Sequence, residues 1–155
     1  MENVKQVLDK DRVAIMSFVD VDGQPFDVDL SQQLSISESE FVRDLKEQPA
    51  LYDYWASILS MAIQKKKELA LTVDLIKAQK SNQARATFDK ITVNAVNDYV
   101  TVSPEYQSAI NELTRWETQV SKIQYIVKAF EQRSNALAQL GAQMRSGIQS
   151  DGKIH

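Results

Sequence analysis

Three different rhythms of apolar and polar residues follow one another along this chain. Val13–Val21 and Phe26–Leu30 alternate apolar with polar positions around Asp22-Gly23, the pattern of two half-buried strands joined by a tight turn. From Leu51 the apolar residues recur at three- and four-residue steps. Leu51, Trp55, Ile58, Ala62, Leu69, Val73 and Ile76 mark one face of a helix that meets no Gly or Pro between Ala50 and Ala84. From Tyr106 the steps settle into heptads. One set of seam positions is Tyr106, Leu113, Val120, Val127, Ser134 and Gly141; the other is Ala109, Trp116, Ile123, Phe130, Leu137 and Met144. Ten of these twelve are apolar or aromatic, which is sustained coiled-coil patterning. Ile110, Ile126 and Leu140 widen the stripe beyond what one partner helix covers.

Capping and breaking residues divide these rhythms into elements. Ser37-Glu38-Ser39-Glu40 reads as a capping box, with Ile36 and Phe41 as its hydrophobic staple, so helix is expected from Ser37. Pro49 disfavours helical geometry in the residue before it, so this short helix should stop near Gln48 and the next should begin at Pro49. Ser81–Asp89 is polar and reads as a connection, and Thr92 is placed to cap a short helix through about Val100. Ser103-Pro104-Glu105 combines an N-cap, a first-turn proline and an acidic residue at the positive helix end. The helix it opens, of about 40 residues, would be about 60 Å long at 1.5 Å per residue.

The expected fold is therefore mainly α: a long helical hairpin with a short intervening helix and a small N-terminal extended or β-ribbon segment. An acidic segment 1–36, a helical domain 37–149 and a disordered tail 150–155 are the expected parts. A helix of this length cannot leave such a face in water. Folding the helix Ala50–Ala84 back on it covers part, and the remaining width implies self-association. Core or subunit contact is assigned to Trp55, Leu113, Trp116, Val120, Ile123, Val127, Phe130 and Leu137. Tyr125 falls on the outer face and is the better candidate for a partner contact.

Composition removes most enzymatic chemistry. The chain has no cysteine and a single histidine, His155, at its end, so the usual zinc sites and Cys-His nucleophile pairs are not available. Glycines at 23, 141, 147 and 152 form neither a phosphate-binding loop nor a dinucleotide fingerprint. Asp20, Asp22, Asp27 and Asp29 fail the EF-hand spacing, because glycine falls fourth from Asp20 and Ser31 twelfth. They read as a solvated edge that discourages strand aggregation, with weak divalent-ion binding as the alternative. No enzyme, cofactor or metal is expected. No apolar run approaches the roughly 18 residues of a membrane span, and Met1–Val13 lacks the apolar core of a signal peptide. A cytoplasmic protein is the expectation.

Charge is unevenly placed. Met1–Glu47 carries 11 acidic residues against 5 basic ones, whereas the rest carries 13 basic against 10 acidic. Lys65, Lys66, Lys67, Lys77, Lys80 and Arg85 concentrate on the central helix. Such a split suits contact with polyanions, or contact between the acidic head and the basic body. Lysines along a helix can neutralise a phosphate backbone without base specificity, although a run of charge is often only a solvated face. Lys66 and Lys77, eleven residues apart, stand nearly above one another at about three turns.

The order of elements in Leu51–Gln149 resembles the phage recombination mediator family called UvsY. Tyr52-Asp53-Tyr54-Trp55 is similar to an aromatic Tyr-x-x-Trp start of the central helix. Lys65–Lys67 and Leu75-Ile76-Lys77-Ala78-Gln79-Lys80 follow, then a short helix Thr92–Val100, then Ser103-Pro104-Glu105-Tyr106 opening a helix that closes with Arg133 and later aliphatics. Where the family pattern resembles Lys-Ala-Arg, Gln79 stands in the arginine position, and the acidic ribbon before Ser37 has no counterpart. The resemblance implies a non-enzymatic, ring-forming protein that binds single-stranded DNA, contacts a recombinase and the single-strand-binding protein, and helps the recombinase load. It implies that Lys66, Lys77 and Lys80 give most of the phosphate contact. The alternative is a helical assembly or adaptor protein with no nucleic-acid contact.

Overall fold

A computed structural model describes residues 15–152, and among them the chain is mainly α. Strands β1 (Ile15–Val19) and β2 (Pro25–Asp29) form an antiparallel ribbon. Helices α1 (Ser31–Leu34), α2 (Phe41–Thr87), α3 (Val93–Thr101) and α4 (Pro104–Asp151) follow. Contacts divide the described residues into two compact units, residues 15–57 with 122–152 and residues 58–121. This division differs from a boundary at residue 36: the ribbon belongs with helical segments rather than apart from them. The tail expected from residue 150 is still helical at Asp151, and residues 153–155 lie outside the described ones.

In the first unit, Gly23 at φ 83° closes the ribbon turn, and the Asp20 carboxylate accepts from the backbone N–H of Asp22 and of Gln24. Phe18 stacks on Phe26 across the ribbon at 5.7 Å, as their register requires, and meets Trp55 of α2 at 6.5 Å. The Trp55 indole N–H donates to Gln33 of α1 (3.0 Å), and the Lys122 ammonium donates to the Ser17 carbonyl oxygen (2.8 Å). A two-stranded ribbon is marginal alone; these contacts anchor it to α2 and α4.

Two boundaries differ from expectation. Ser37 does not begin a helix. The Glu40 carboxylate pairs with Arg43, the Ser37 backbone N–H donates to Asp44 (3.2 Å), and α2 starts at Phe41. Nor does the helix stop at Gln48: Pro49 lies inside α2. Its missing N–H strands the Leu45 carbonyl oxygen, on a residue that is exposed, where water can satisfy it. On the buried side, Gln48 donates to the Phe130 carbonyl oxygen (2.6 Å) and accepts from Arg133 (2.6 Å), which also reaches the Asp44 carbonyl oxygen (3.4 Å). These tertiary bonds hold Gln48 helical against its local preference.

In the second unit, α2 continues through Ser81–Thr87, where a connection was expected. Ala62, Val73 and Ala84 are buried at eleven-residue intervals, so the polar residues between Ser81 and Thr87 merely face outward around an Ala84 that has no exposed surface. Ser81 and Thr87 hydroxyls bond the carbonyl four residues back. Lys90, at φ 56°, turns the chain into α3, which Thr92 caps by accepting from the Ala95 N–H. Val96 and Val100 are its buried residues. Ser103 accepts from the Tyr106 N–H (3.3 Å) and caps α4.

Along α4 the buried residues are Trp116, Gln119, Val120, Ile123, Ile126, Phe130, Arg133 and Leu137. In one heptad set Trp116, Ile123, Phe130 and Leu137 are buried, with Ala109 and Met144 half-buried at its ends. The other set shifts: Leu113 and Val127 are half-buried, Ser134 is exposed, and Ile126 and Arg133 take the buried places one residue earlier. Gly141 has a packing reason, since a Cβ there would lie 2.9 Å from the Phe41 ring.

Candidate nucleic-acid interface

At about 100° per residue, the six cations of α2 do not share one face. Lys66, Lys77 and Lys80 fall close to the azimuth of Ala62, Val73 and Ala84, so they follow the edge of the buried stripe. Lys66 and Lys80 are half-buried there, and Lys77 is exposed. Lys67 and Arg85, both exposed, share an azimuth on the far side, roughly five turns apart. Lys65 lies on a flank between the two and is half-buried. A single strand following all six is thus not what the helix presents; it presents an inner rail of three and an outer pair.

Lys80 is also engaged. Its ammonium pairs with Glu105 in the first turn of α4 at 3.1 Å. Glu105 accepts its own backbone N–H and the Lys80 ammonium, and together these hold its pKa below the ordinary carboxylate value. Among the described residues, Lys65, Lys66, Lys67, Lys77 and Arg85 form no ion pair.

The aromatic residues near the start of the central helix belong to packing. Trp55 is buried under Phe18, the Tyr52 hydroxyl donates to Glu131 (3.3 Å), and Tyr54 is exposed with its ring edge-on to Trp55 at 5.4 Å. Tyr125 is 69% exposed on α4. The acidic run is committed to local structure: Asp20 to the turn, Asp27 to the Ser17 hydroxyl (2.6 Å), and Asp29 to the Ser31 hydroxyl and N–H (2.6 and 2.9 Å). The Ser31 hydroxyl first, and its N–H second, hold the Asp29 pKa low. No group of three or more His, Cys, Asp or Glu residues among the described ones is placed to hold a metal ion. His155 lies outside the described residues.

Two features were not legible as sites. One is the buried node Asp44–Gln48–Arg133, where the guanidinium also donates to the Ser35 carbonyl oxygen (3.3 Å) and stands 3.6 Å from the Asp44 carboxylate. The other is an outer apolar stripe on α2, where Met61, Leu71 and Leu75 are 67%, 70% and 58% exposed. Its signal was present, since all three fall off the face marked by Trp55, Ala62 and Val73.

Charge divides with the two units. Residues 15–57 and 122–152 carry eleven carboxylates against six cations, and residues 58–121 carry eight cations against seven carboxylates. Surface depressions are shallow, one lined by Gln48, Pro49, Tyr52, Glu131, Ser134 and Asn135, another by Phe88, Ile91, Ala95, Asp98, Tyr99 and Val102. Among the described residues, no helix is long and apolar enough to cross a membrane. Comparison with protein families, with characterised proteins and with solved structures finds no match to this chain.

Proposed function

We propose that this chain is a non-enzymatic recombination mediator that binds single-stranded DNA as a homo-oligomer. In this reading it contacts a recombinase and the single-strand-binding protein, and it helps load the former in place of the latter. A phage origin would place it in the cytoplasm of a bacterial host. The UvsY-like order of elements in Leu51–Gln149 motivates the reading. The observation that carries it is the set of α2 cations without an ion pair among the described residues, whose charge is left for phosphate. Lys66 and Lys77 on the inner rail are the principal contacts, and Lys80 joins them by exchanging Glu105 for phosphate.

One subunit with so small a basic excess binds weakly. An assembly presenting the same rail several times gains an avidity on the order of 10²–10⁴. The acidic unit is no obstacle if it lies off the DNA path. The test is fluorescence anisotropy of a labelled, unstructured oligonucleotide at two salt concentrations, with the mass in solution followed in the same buffers. The wild type should bind as an oligomer and weaken steeply with salt. The variant Lys66→Ala/Lys77→Ala/Lys80→Ala should keep its mass and lose about two from the salt slope, at about 0.7 per phosphate for single strands. An unchanged slope in a variant that still assembles sinks the reading.

The second reading, an assembly or adaptor protein without nucleic-acid contact, is favoured by the exposed Leu71 and Leu75, which phosphate does not cover. An oligomer that fails to bind the oligonucleotide at low salt would establish it.

A further inference from the structure

The inner rail of α2 ends on an anion that the chain itself supplies. Lys80 lies about five full turns beyond Ala62, so it points along the buried stripe, and its side chain is only 19% exposed. Glu105, in the first turn of α4 and in the same compact unit, meets its ammonium at 3.1 Å. The Ser103 cap and Pro104 fix where that turn starts. The Glu105 carboxylate also accepts its own backbone N–H, so it is held from two sides. Lys77, about one turn before Lys80, is exposed. Among the described residues, neither it nor Lys66 forms an ion pair.

Carboxylate and phosphate oxygens compete for the same ammonium protons. Lys66 and Lys77 can take up phosphate without losing a partner, whereas Lys80 must first release Glu105. The freed carboxylate then stands beside the incoming phosphate, and like charges at that range repel. Both effects oppose DNA at this one lysine. A partly exposed ion pair is a weak obstacle, and a strand already held nearby overcomes it. Lys77 supplies that hold, and the next phosphate then meets Lys80 at a high effective concentration.

We propose that Glu105 is a built-in competitor for phosphate at Lys80, an autoinhibitory contact that keeps the end of the rail closed until a strand is seated on Lys66 and Lys77. The inference rests on the DNA binding proposed above and assigns its regulation. A single anion that meets Lys80 faces Glu105 with no neighbouring contact to hold it, whereas a polyanion brings its next phosphate along. The contact therefore favours chains of phosphate over isolated anions. A pair that only ties the end of α2 to the start of α4 behaves differently. Breaking such a tie leaves DNA affinity unchanged or lowers it, whereas removing a competitor raises it.

The experiment titrates a labelled, unstructured single-stranded oligonucleotide at low salt with the full chain and with Glu105→Gln, Lys80→Ala and the double variant. Sedimentation velocity confirms that the proteins compared have the same mass, and circular dichroism that helix content is kept. If Glu105→Gln changes either, Glu105→Ala replaces it. Glu105→Gln should bind about fivefold more tightly than the wild type, and the gain should vanish in the Lys80→Ala background. Asp98→Asn removes the same charge from an exposed position on α3 that forms no ion pair among the described residues. It should change affinity by less than about twofold. A Glu105→Gln variant that binds like the wild type or more weakly overturns the inference, and so does a gain that survives without Lys80 or is matched by Asp98→Asn. In those cases the wild type still binds, and the DNA-binding reading stands. If neither the wild type nor Glu105→Gln binds, the inference falls together with that reading.

Discussion

The two compact units use the same two long helices and stabilise them differently. Residues 15–57 with 122–152 bury large groups: Phe18, Trp55, Ile123, Ile126, Phe130 and Leu137, together with Asp44, Gln48 and Arg133. Residues 58–121 bury Ala62, Val73, Ala84, Val96, Val100 and Val120, with Trp116 as the one large side chain in that set. Small side chains remove little area from water, at roughly 25 cal/mol per Å², whereas the first unit adds a polar node that ties α2 to α4 through Asp44, Gln48 and Arg133. The difference teaches where each unit's specificity lies. The first unit is fixed by its interior. The second has a thin interior and leaves Leu71 and Leu75 exposed on the outside of α2.

The widest test of this contrast compares Phe130→Ala with Val73→Ala. Phe130 has no exposed surface, so truncation should cost about 4 kcal/mol through lost transfer energy and the cavity left behind. Val73→Ala removes two methyl groups from a thin seam and should cost about 1.5 kcal/mol. Urea denaturation of both variants checks this. Equal costs would mean that the two interiors are equivalent.

The node gives an intermediate effect, read through pH. Burial raises the Asp44 pKa, but the Arg43 hydrogen bond, the Ser37 N–H and the charges of Arg43 and Arg133 together outweigh it, so it lies below the ordinary carboxylate value. A depressed folded-state pKa gives stability that is present above the unfolded pKa, about 3.9, and lost as pH falls through the lower folded value. The wild type should therefore lose stability faster than Asp44→Asn between about pH 4 and the folded pKa. Parallel acid limbs in denaturation curves collected across that window would show that Asp44 is not held as the node describes.

Why the node escaped the sequence reading is physical. The stripes of α2 and α4 were legible because burial follows helical period: Trp55, Ala62 and Val73 on one helix, and Trp116, Ile123, Phe130 and Leu137 on the other, are where apolarity puts them. Apolarity has no means of choosing Arg133 over its neighbour Ser134. That choice depends on Asp44, Gln48 and Ser35, more than eighty residues away in the chain. The same bonds overrule the local effect of Pro49, so a break was read where α2 continues. Ser81–Thr87 was misread for the opposite reason: one small residue, Ala84, suffices to hold that turn, and its neighbours show only their solvent side. For the cations, sequence supplied the residues but not their division between two azimuths, which depends on where the buried stripe runs.

The smallest effect concerns the turns. In the first unit, a glycine takes the left-handed position, Gly23 at φ 83°; in the second, a lysine does, Lys90 at φ 56°. An L-residue in that region costs roughly 1–2 kcal/mol, and glycine there gives back roughly 0.5–1 kcal/mol because its unfolded chain is freer. Lys90→Gly should therefore stabilise the protein by about 0.5 kcal/mol, while Gly23→Ala should destabilise it by about 1 kcal/mol. Lys90→Ala keeps a Cβ and should leave stability nearly unchanged, which separates backbone strain from loss of the lysine's charge. The three variants are read side by side by urea denaturation. A Lys90→Gly variant less stable than Lys90→Ala would mean that the left-handed turn carries no strain.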